Sequence, residues 1–238
     1  MAGAMHTQPQ VSIVDDELLV RQGISRLLQA QGFATCVYQS AREFLAGLKC
    51  DARGCVIADL LMPATGGLEL QRTLSARGCH LPLVFITAST DIRTAVQAMK
   101  GGAVSVLAKP VQPEELIEAV REALLRDSAL REALAERHRV QALTQRLTQR
   151  ERQVLGLMTT GLLNKQIAAD LGVSVKTIKV HRSRVMNKMQ VTSAAALTRL
   201  LTTGGSPSTE LHAHPGWSNR TATVSRPGRH FDEPAHAV

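Results

Sequence analysis

The chain has 238 residues, 44% of them hydrophobic and only 3% aromatic. That length suits two small domains better than one large one, with cores of Leu, Val, Ile, Ala and Met rather than rings. The net charge of +8 is uneven: residues 1–127 hold 12 Lys and Arg against 13 Asp and Glu, and residues 128–238 hold 16 against 7, so one end is expected to meet a polyanion.

In chain order, residues 1–9 form a start expected to be disordered, and Met1 to Gln10 lacks the charged and apolar blocks of a signal peptide. No apolar run reaches the length of a membrane span. A cytoplasmic protein with no membrane partner is expected. Cys36, Cys50, Cys55 and Cys79 form no C-x-x-C pair, and are read as structural thiols. Residues 11–14 are an apolar run stopped by Asp15-Asp16. Helical spacing follows over 18–30, then strand 33–38, helix 41–48, strand 55–58, helix 68–76, strand 81–87, helix 92–99 and strand 104–108. Strand then helix, five times over, predicts an α/β fold: a five-stranded, doubly wound parallel sheet with functional groups at the carboxyl ends of its strands.

Pro113, Glu114 and Glu115 suit the first turn of a further helix. No Gly or Pro occurs from 114 to 155, so a long helix should leave the first domain, with a break expected near 138–145. Its irregular Leu stripe fits equally a coiled coil with a second copy or a helix packed on its own domain. Residues 126–146 are taken as this helical linker. Thr148-Gln149-Arg150-Glu151 is a capping box. It opens an all-α domain of four helices over 147–202, with a Gly172 turn between the second and third. From 203 to 238 the composition turns to Gly, Ser, Pro, Thr and His, and a disordered tail is expected. Trp217 lies there, as do His212, His214, His230 and His236, whose bland reading is a solvated tail.

In the sheet reading, Asp15, Asp16, Asp59, Thr87 and Lys109 converge at one edge. Crowded carboxylates repel unless a cation joins them, and oxygen ligands of this kind suit Mg²⁺. A carboxylate so held can attack phosphorus to give an acyl phosphate, with Lys109 neutralising the transferred group and Thr87 hydrogen-bonding it. Singly, each residue is weak: an Asp at a strand end is usually a turn former. Together, in this order, they are hard to obtain by chance.

Residues 10–125 resemble a CheY-type receiver domain. The resemblance rests on Ile13-Val14-Asp15-Asp16-Glu17, Asp59 before Met62-Pro63, Gly67, Thr87-Ala88 and Lys109-Pro110. It implies Asp59 as phosphoryl acceptor, with Asp16, Asp59 and the Leu61 carbonyl as Mg²⁺ ligands. Asp15 would act through a metal-bound water, while Thr87 and Lys109 read the phosphate. One position departs from the family pattern. Val106 stands where receivers usually carry a Phe or Tyr that swings inward on activation.

Over 175–189, Val175, Ile178, Val185 and Met189 share one helical side suited to a core. Lys176, Lys179, Val180, Ser183 and Asn187 share the opposite face, which suits a major groove. Arg182, Arg184 and Lys188 flank it as phosphate contacts. Residues 147–201 resemble the LuxR-type helix-turn-helix, through Leu147-Thr148-Gln149-Arg150-Glu151, Asn164-Lys165-Gln166-Ile167-Ala168, Thr177-Ile178-Lys179-Val180-His181-Arg182 and Lys188-Met189. The resemblance implies that Lys179, Val180 and Ser183 sit at base edges, with His181 and Arg182 near the backbone, and that the last helix is a dimer contact.

Receiver, linker helix and LuxR-type domain in that order resemble the FixJ/NarL class of two-component response regulators, and Phe85-Ile86-Thr87-Ala88 leans to the FixJ branch. The resemblance implies phosphorylation of Asp59 by a sensor histidine kinase, then homodimerisation and binding of promoter DNA, with RNA polymerase as a further partner. Apart from its own phosphoryl chemistry the chain is not expected to be an enzyme. An Asp-nucleophile phosphatase would need an acid-base carboxylate just after the nucleophile, where Leu60 and Leu61 stand. A phosphorylation-independent DNA-binding protein with a relict receiver is the alternative, favoured only by Val106.

Overall fold

A computed structural model describes residues 8–49, 51–63, 65–88 and 92–203. Five strands alternate with helices: β1 (Gln10–Val14), α1 (Leu18–Ala30), β2 (Ala34–Tyr38), α2 (Ala41–Gly47), β3 (Gly54–Asp59), α3 (Gly67–Ala76), β4 (Leu83–Thr87), α4 (Ile92–Lys100) and β5 (Ser105–Ala108). There follow α5 (Pro113–Gln145), α6 (Gln149–Thr159), α7 (Asn164–Asp170), α8 (Val175–Lys188) and α9 (Ala194–Thr203). The strands form one parallel sheet in the order β2-β1-β3-β4-β5.

The two-residue period of a strand divides the apolar side chains between two layers. On one face Val56, Ala58 and Phe85 pack with Phe44 of α2, Leu70 and Leu74 of α3 and Ala98 of α4. On the other, Cys55, Ile57, Val84 and Ile86 pack with Ile24 and Leu28 of α1 and Leu116, Val120 and Ala123 of α5. β3, buried along its whole length, carries Asp59 at its carboxyl end. A third core gathers Val140, Leu143 and Leu147 with Val154, Leu155, Ile167, Ile178, Val185, Met189, Leu197 and Leu201.

The chain divides into two compact units, Met1–Glu136 and Arg137–Val238. The boundary falls inside the expected linker, because α5 supplies side chains to a core in each unit. α5 runs unbroken to Gln145, so the break expected near 138–145 is absent, and the helix ends only before the turn that leads to the Thr148 cap of α6. Cys36 and Cys55 are free thiols, but Cys79 is disulfide-bonded, against the reading of all four as thiols. Spacing along the chain does not tell which cysteines a fold brings together. The expected disorder of 203–238 and of the first seven residues concerns positions outside the described residues, Thr203 excepted, which ends α9. Among the described residues no helix is long and apolar enough to cross a membrane.

Candidate functional site

Three strands deliver the acidic pocket. Asp15 follows β1, Asp59 ends β3 and Lys109 follows β5; Asp15 and Asp59 are both buried. Lys109 Nζ lies 2.7 Å from Asp59 Oδ2, 2.9 Å from Asp15 Oδ2 and 3.2 Å from Glu17 Oε1. Its backbone N–H donates to the Thr87 carbonyl at 2.8 Å, which fixes it at the end of β4, and the Lys109-Pro110 bond is cis. Burial alone would lower the Lys109 pKa; hydrogen bonds to Asp59, Asp15 and Glu17 outweigh it and hold the ammonium above the usual lysine range. Burial pushes the Asp15 carboxyl up, against the opposing pull of Lys109 and the Glu17 N–H.

The loop after β3 is set by the acceptor itself. Asp59 Oδ1 accepts the Leu61 N–H at 2.8 Å, which leaves the Leu61 side chain exposed between buried Leu60 and Met62. Thr87 is buried at the end of β4 and Ala88 beside it is exposed. Val106 pairs in register with Phe85 and packs, partly buried, against the core under α2, α3 and α4.

Asp15, Glu17 and Asp59 each offer an oxygen within 4.8 Å of the others. This donor set fits a divalent cation, since three hard carboxylates converge where a single ammonium offsets only one of their charges. Asp16, expected as a ligand, is exposed and stands outside that group, whereas Glu17 stands in it.

The second constellation is on α8. Ser174 caps it, its hydroxyl accepting the Thr177 N–H at 3.1 Å, and Gly172, at φ +63°, makes the turn that enters it. Ile178, Val185 and Met189 are fully buried, as the helical wheel expects, but Val175 in the first turn is 39% exposed. Lys176, Lys179, Val180, Ser183, Arg184 and Asn187 are exposed, and His181, Arg182 and Lys188 are half-buried. The Nδ1 of His181 is buried and meets no hydrogen-bond partner among the described residues. Lys188 Nζ is held 2.7 Å from Glu151 Oε2 and 3.2 Å from the Arg146 carbonyl.

Residues 11–121 match the family described as response regulator receiver domain, and residues 145–201 the bacterial regulatory proteins of the luxR family. Nodulation protein W of Bradyrhizobium diazoefficiens is 39% identical over 199 residues, 84% of this chain and 88% of that one. Transcriptional regulatory protein FixJ of Azorhizobium caulinodans is 41% identical over 196 residues, 82% and 92% of the two chains. The chain belongs to the FixJ/NarL-type response regulators. The regulator is similar to the solved response regulator StyR, with TM-score 0.74 and 40% identity over 82% of this chain and 99% of that one. It is also similar to full-length FixJ from B. japonicum, with TM-score 0.51 and 34% identity over 84% and 98%. It is thus a transcription factor with a receiver and a LuxR-type DNA-binding domain, which implies a sensor kinase and DNA as partners.

Sequence reasoning missed Glu17 and Glu151 as members of the regulator's two constellations. Glu17 carried a weak signal, its place directly after the Asp pair. Glu151 was recognised as a cap, but its pairing with Lys188, 37 positions away, leaves no periodic trace.

Proposed function

We propose that the regulator accepts a phosphoryl group on Asp59 from a sensor histidine kinase, then dimerises and binds paired half-sites in promoter DNA, acting there on RNA polymerase. The contact that carries this reading is the partly buried triangle of Asp59, Asp15 and Lys109 Nζ, with 2.7 and 2.9 Å separations. A carboxylate oxygen of Asp59 attacks phosphorus, the bond from phosphorus to the donor's imidazole nitrogen breaks, and the ring leaves with that electron pair. Lys109 is placed to balance the charge of the new phosphoryl group, and Thr87 to hydrogen-bond it. Asp16, Asp59 and the Leu61 carbonyl would hold Mg²⁺, with Asp15 acting through water; when bound, the ion supplies positive charge for the phosphoryl oxygens. Beyond this self-modification no turnover of a substrate is proposed.

On DNA, Lys179, Val180 and Ser183 would face base edges from the exposed side of α8, flanked by Lys176 and Asn187. Arg182, and by the resemblance His181, would hold the backbone. Incubation with a small phosphodonor and Mg²⁺ should add one phosphoryl group by mass, and Asp59→Asn should abolish the shift. Labelling that persists in the variant would point to another acceptor, and a parent chain that takes no label would favour the relict-receiver reading.

A further inference from the structure

We propose that Lys188 is a positioning residue for DNA reading and not a phosphate contact: paired with Glu151, it locks the carboxyl end of α8 to the turn that joins α5 to α6. The inference rests on the DNA-reading role of α8 proposed above.

Three segments meet on one carboxylate. Glu151 Oε2 accepts from Lys188 Nζ at 2.7 Å and from the Thr148 N–H at 2.8 Å, while Thr148 Oγ1 accepts the Glu151 N–H at 3.3 Å. Lys188 also donates to the carbonyl of Arg146, in the turn directly after α5. The Glu151 side chain is only 4% exposed. Removing the partner of a buried charge is costly, because the remaining charge is left uncompensated in a poorly solvated place. A DNA phosphate would have to share Lys188 with Glu151 and the Arg146 carbonyl, which already take two of its three N–H groups. The pair also lies at the end of α8 where Val185 and Met189 pack with Val154 and Leu155 of α6, so the polar lock and the apolar seam fix the same contact. Of the cations on α8, Lys176, Lys179 and Arg184 are exposed and available to DNA; Lys188 is half-buried and held on Glu151.

The two roles differ in sign. If Lys188 held a phosphate, Glu151→Gln would release it and remove a nearby negative charge, so DNA binding would tighten. If Lys188 positions α8, Glu151→Gln should weaken binding, and more on a specific duplex than on a scrambled one. Gln can still accept the Thr148 N–H, so the cap of α6 is kept. The probe is a duplex selected from a random-sequence pool by the full chain with phosphodonor, compared with its scrambled copy over several salt concentrations. Lys188→Met should lose affinity without changing the slope of log affinity against log salt, whereas a lost phosphate contact would flatten it by about one unit. The double variant should bind no worse than the weaker single one, since both break one contact. Tighter binding by Glu151→Gln, or a slope flattened by Lys188→Met, would overturn the inference. If Lys188→Met does not fold, the sign of the Glu151→Gln effect decides. Should no duplex be selected, the DNA-reading role fails first and the positioning role with it.

Discussion

Gly67 shows how tightly a single residue is constrained beside the acceptor. A Cβ there would come 2.7 Å from the Asp59 carbonyl oxygen and 2.8 Å from Phe85 Cε1. Gly67→Ala should therefore cost about 1–3 kcal/mol, as overpacking of a rigid site does, and should slow labelling of Asp59 because the displaced atoms belong to its loop. Thermal melts and labelling rates on the same variant check both. At Val106 the expectation concerns coupling instead. A valine partly buried beside Phe85 cannot swing as a ring does, so Val106→Tyr should change the gain in DNA affinity that phosphorylation gives. An unchanged gain would remove this position from the switch. The residues that sequence placed best are those fixed by strand ends: Asp15, Asp59, Thr87 and Lys109 arrive where the alternation of strands and helices sends them. Side-chain reach was less legible: the long Glu17 side chain reaches Lys109, and Asp16 directly before it is exposed. Val175 obeys the wheel but lies in the first turn, where little of the core is left to cover it.

Elements were legible wherever a period or a cap defined them. Helix α1 and the capping box at Thr148 match their sequence readings, and most other ends move by one or two residues, the usual uncertainty of a fraying terminus. The extent of α5 on the first unit was not legible, because what holds it is polar. Asp127, 5% exposed at its side chain, accepts the Gly54 N–H at 3.0 Å and the Arg131 Nε at 2.9 Å. Arg131 in turn donates to the carbonyls of Asp51 and Ala52. An Asp and an Arg four residues apart read as an exposed helix pair, and nothing in the sequence tells that the loop before β3 covers them. Asp127→Ala should leave the Gly54 N–H unpaired at a cost of about 1–3 kcal/mol and speed amide exchange in the helix around 127–136. In the second unit, Lys188 first, and the Thr148 groups after it, hold the Glu151 carboxyl below the usual carboxylate range against the effect of burial. A depressed carboxyl stabilises the fold fully above its unfolded value of about 4.3, and the contribution is lost as pH falls through the lower folded value. Melting of the second unit should therefore fall off in acid more steeply in the parent chain than in Glu151→Gln. Parallel pH profiles would separate Glu151 from that acid sensitivity.

At the scale of the whole molecule, the proposed sequence of events needs a surface on which two phosphorylated receivers meet. The charge division along the chain, legible from composition, says which unit meets DNA but nothing about this surface. The receiver resemblance implies that the fourth helix and fifth strand serve, and on α4 Ile92, Val96 and Met99 are 77%, 43% and 47% exposed, at the i, i+4, i+7 spacing of a single helical stripe. The stripe follows β4, whose last residue, Thr87, is proposed to bond the phosphoryl group, so the chemistry and the surface share one strand-to-helix connection. Each such side chain, fully covered, stabilises an interface by about 1.5–3 kcal/mol before the costs of association are met. Three of them can carry a dimer that forms only when a modest further gain is added, which is the behaviour a phosphorylation switch needs. Val96→Glu and Met99→Glu would place charges in the covered stripe, where a carboxylate without a partner is strongly disfavoured. Sedimentation should then show the parent chain gaining mass with phosphodonor and the variants staying monomeric. Labelling of Asp59 should be equal in all of them, because the substituted side chains lie outside the pocket. On DNA the variants should keep the parent's affinity for a duplex with one half-site and lose the phosphorylation-dependent gain on a duplex with two. That gain comes from linking two weak binding events rather than from new contacts. Variants that still dimerise on phosphorylation would move the interface to another face of the receiver and leave the chemistry at Asp59 untouched.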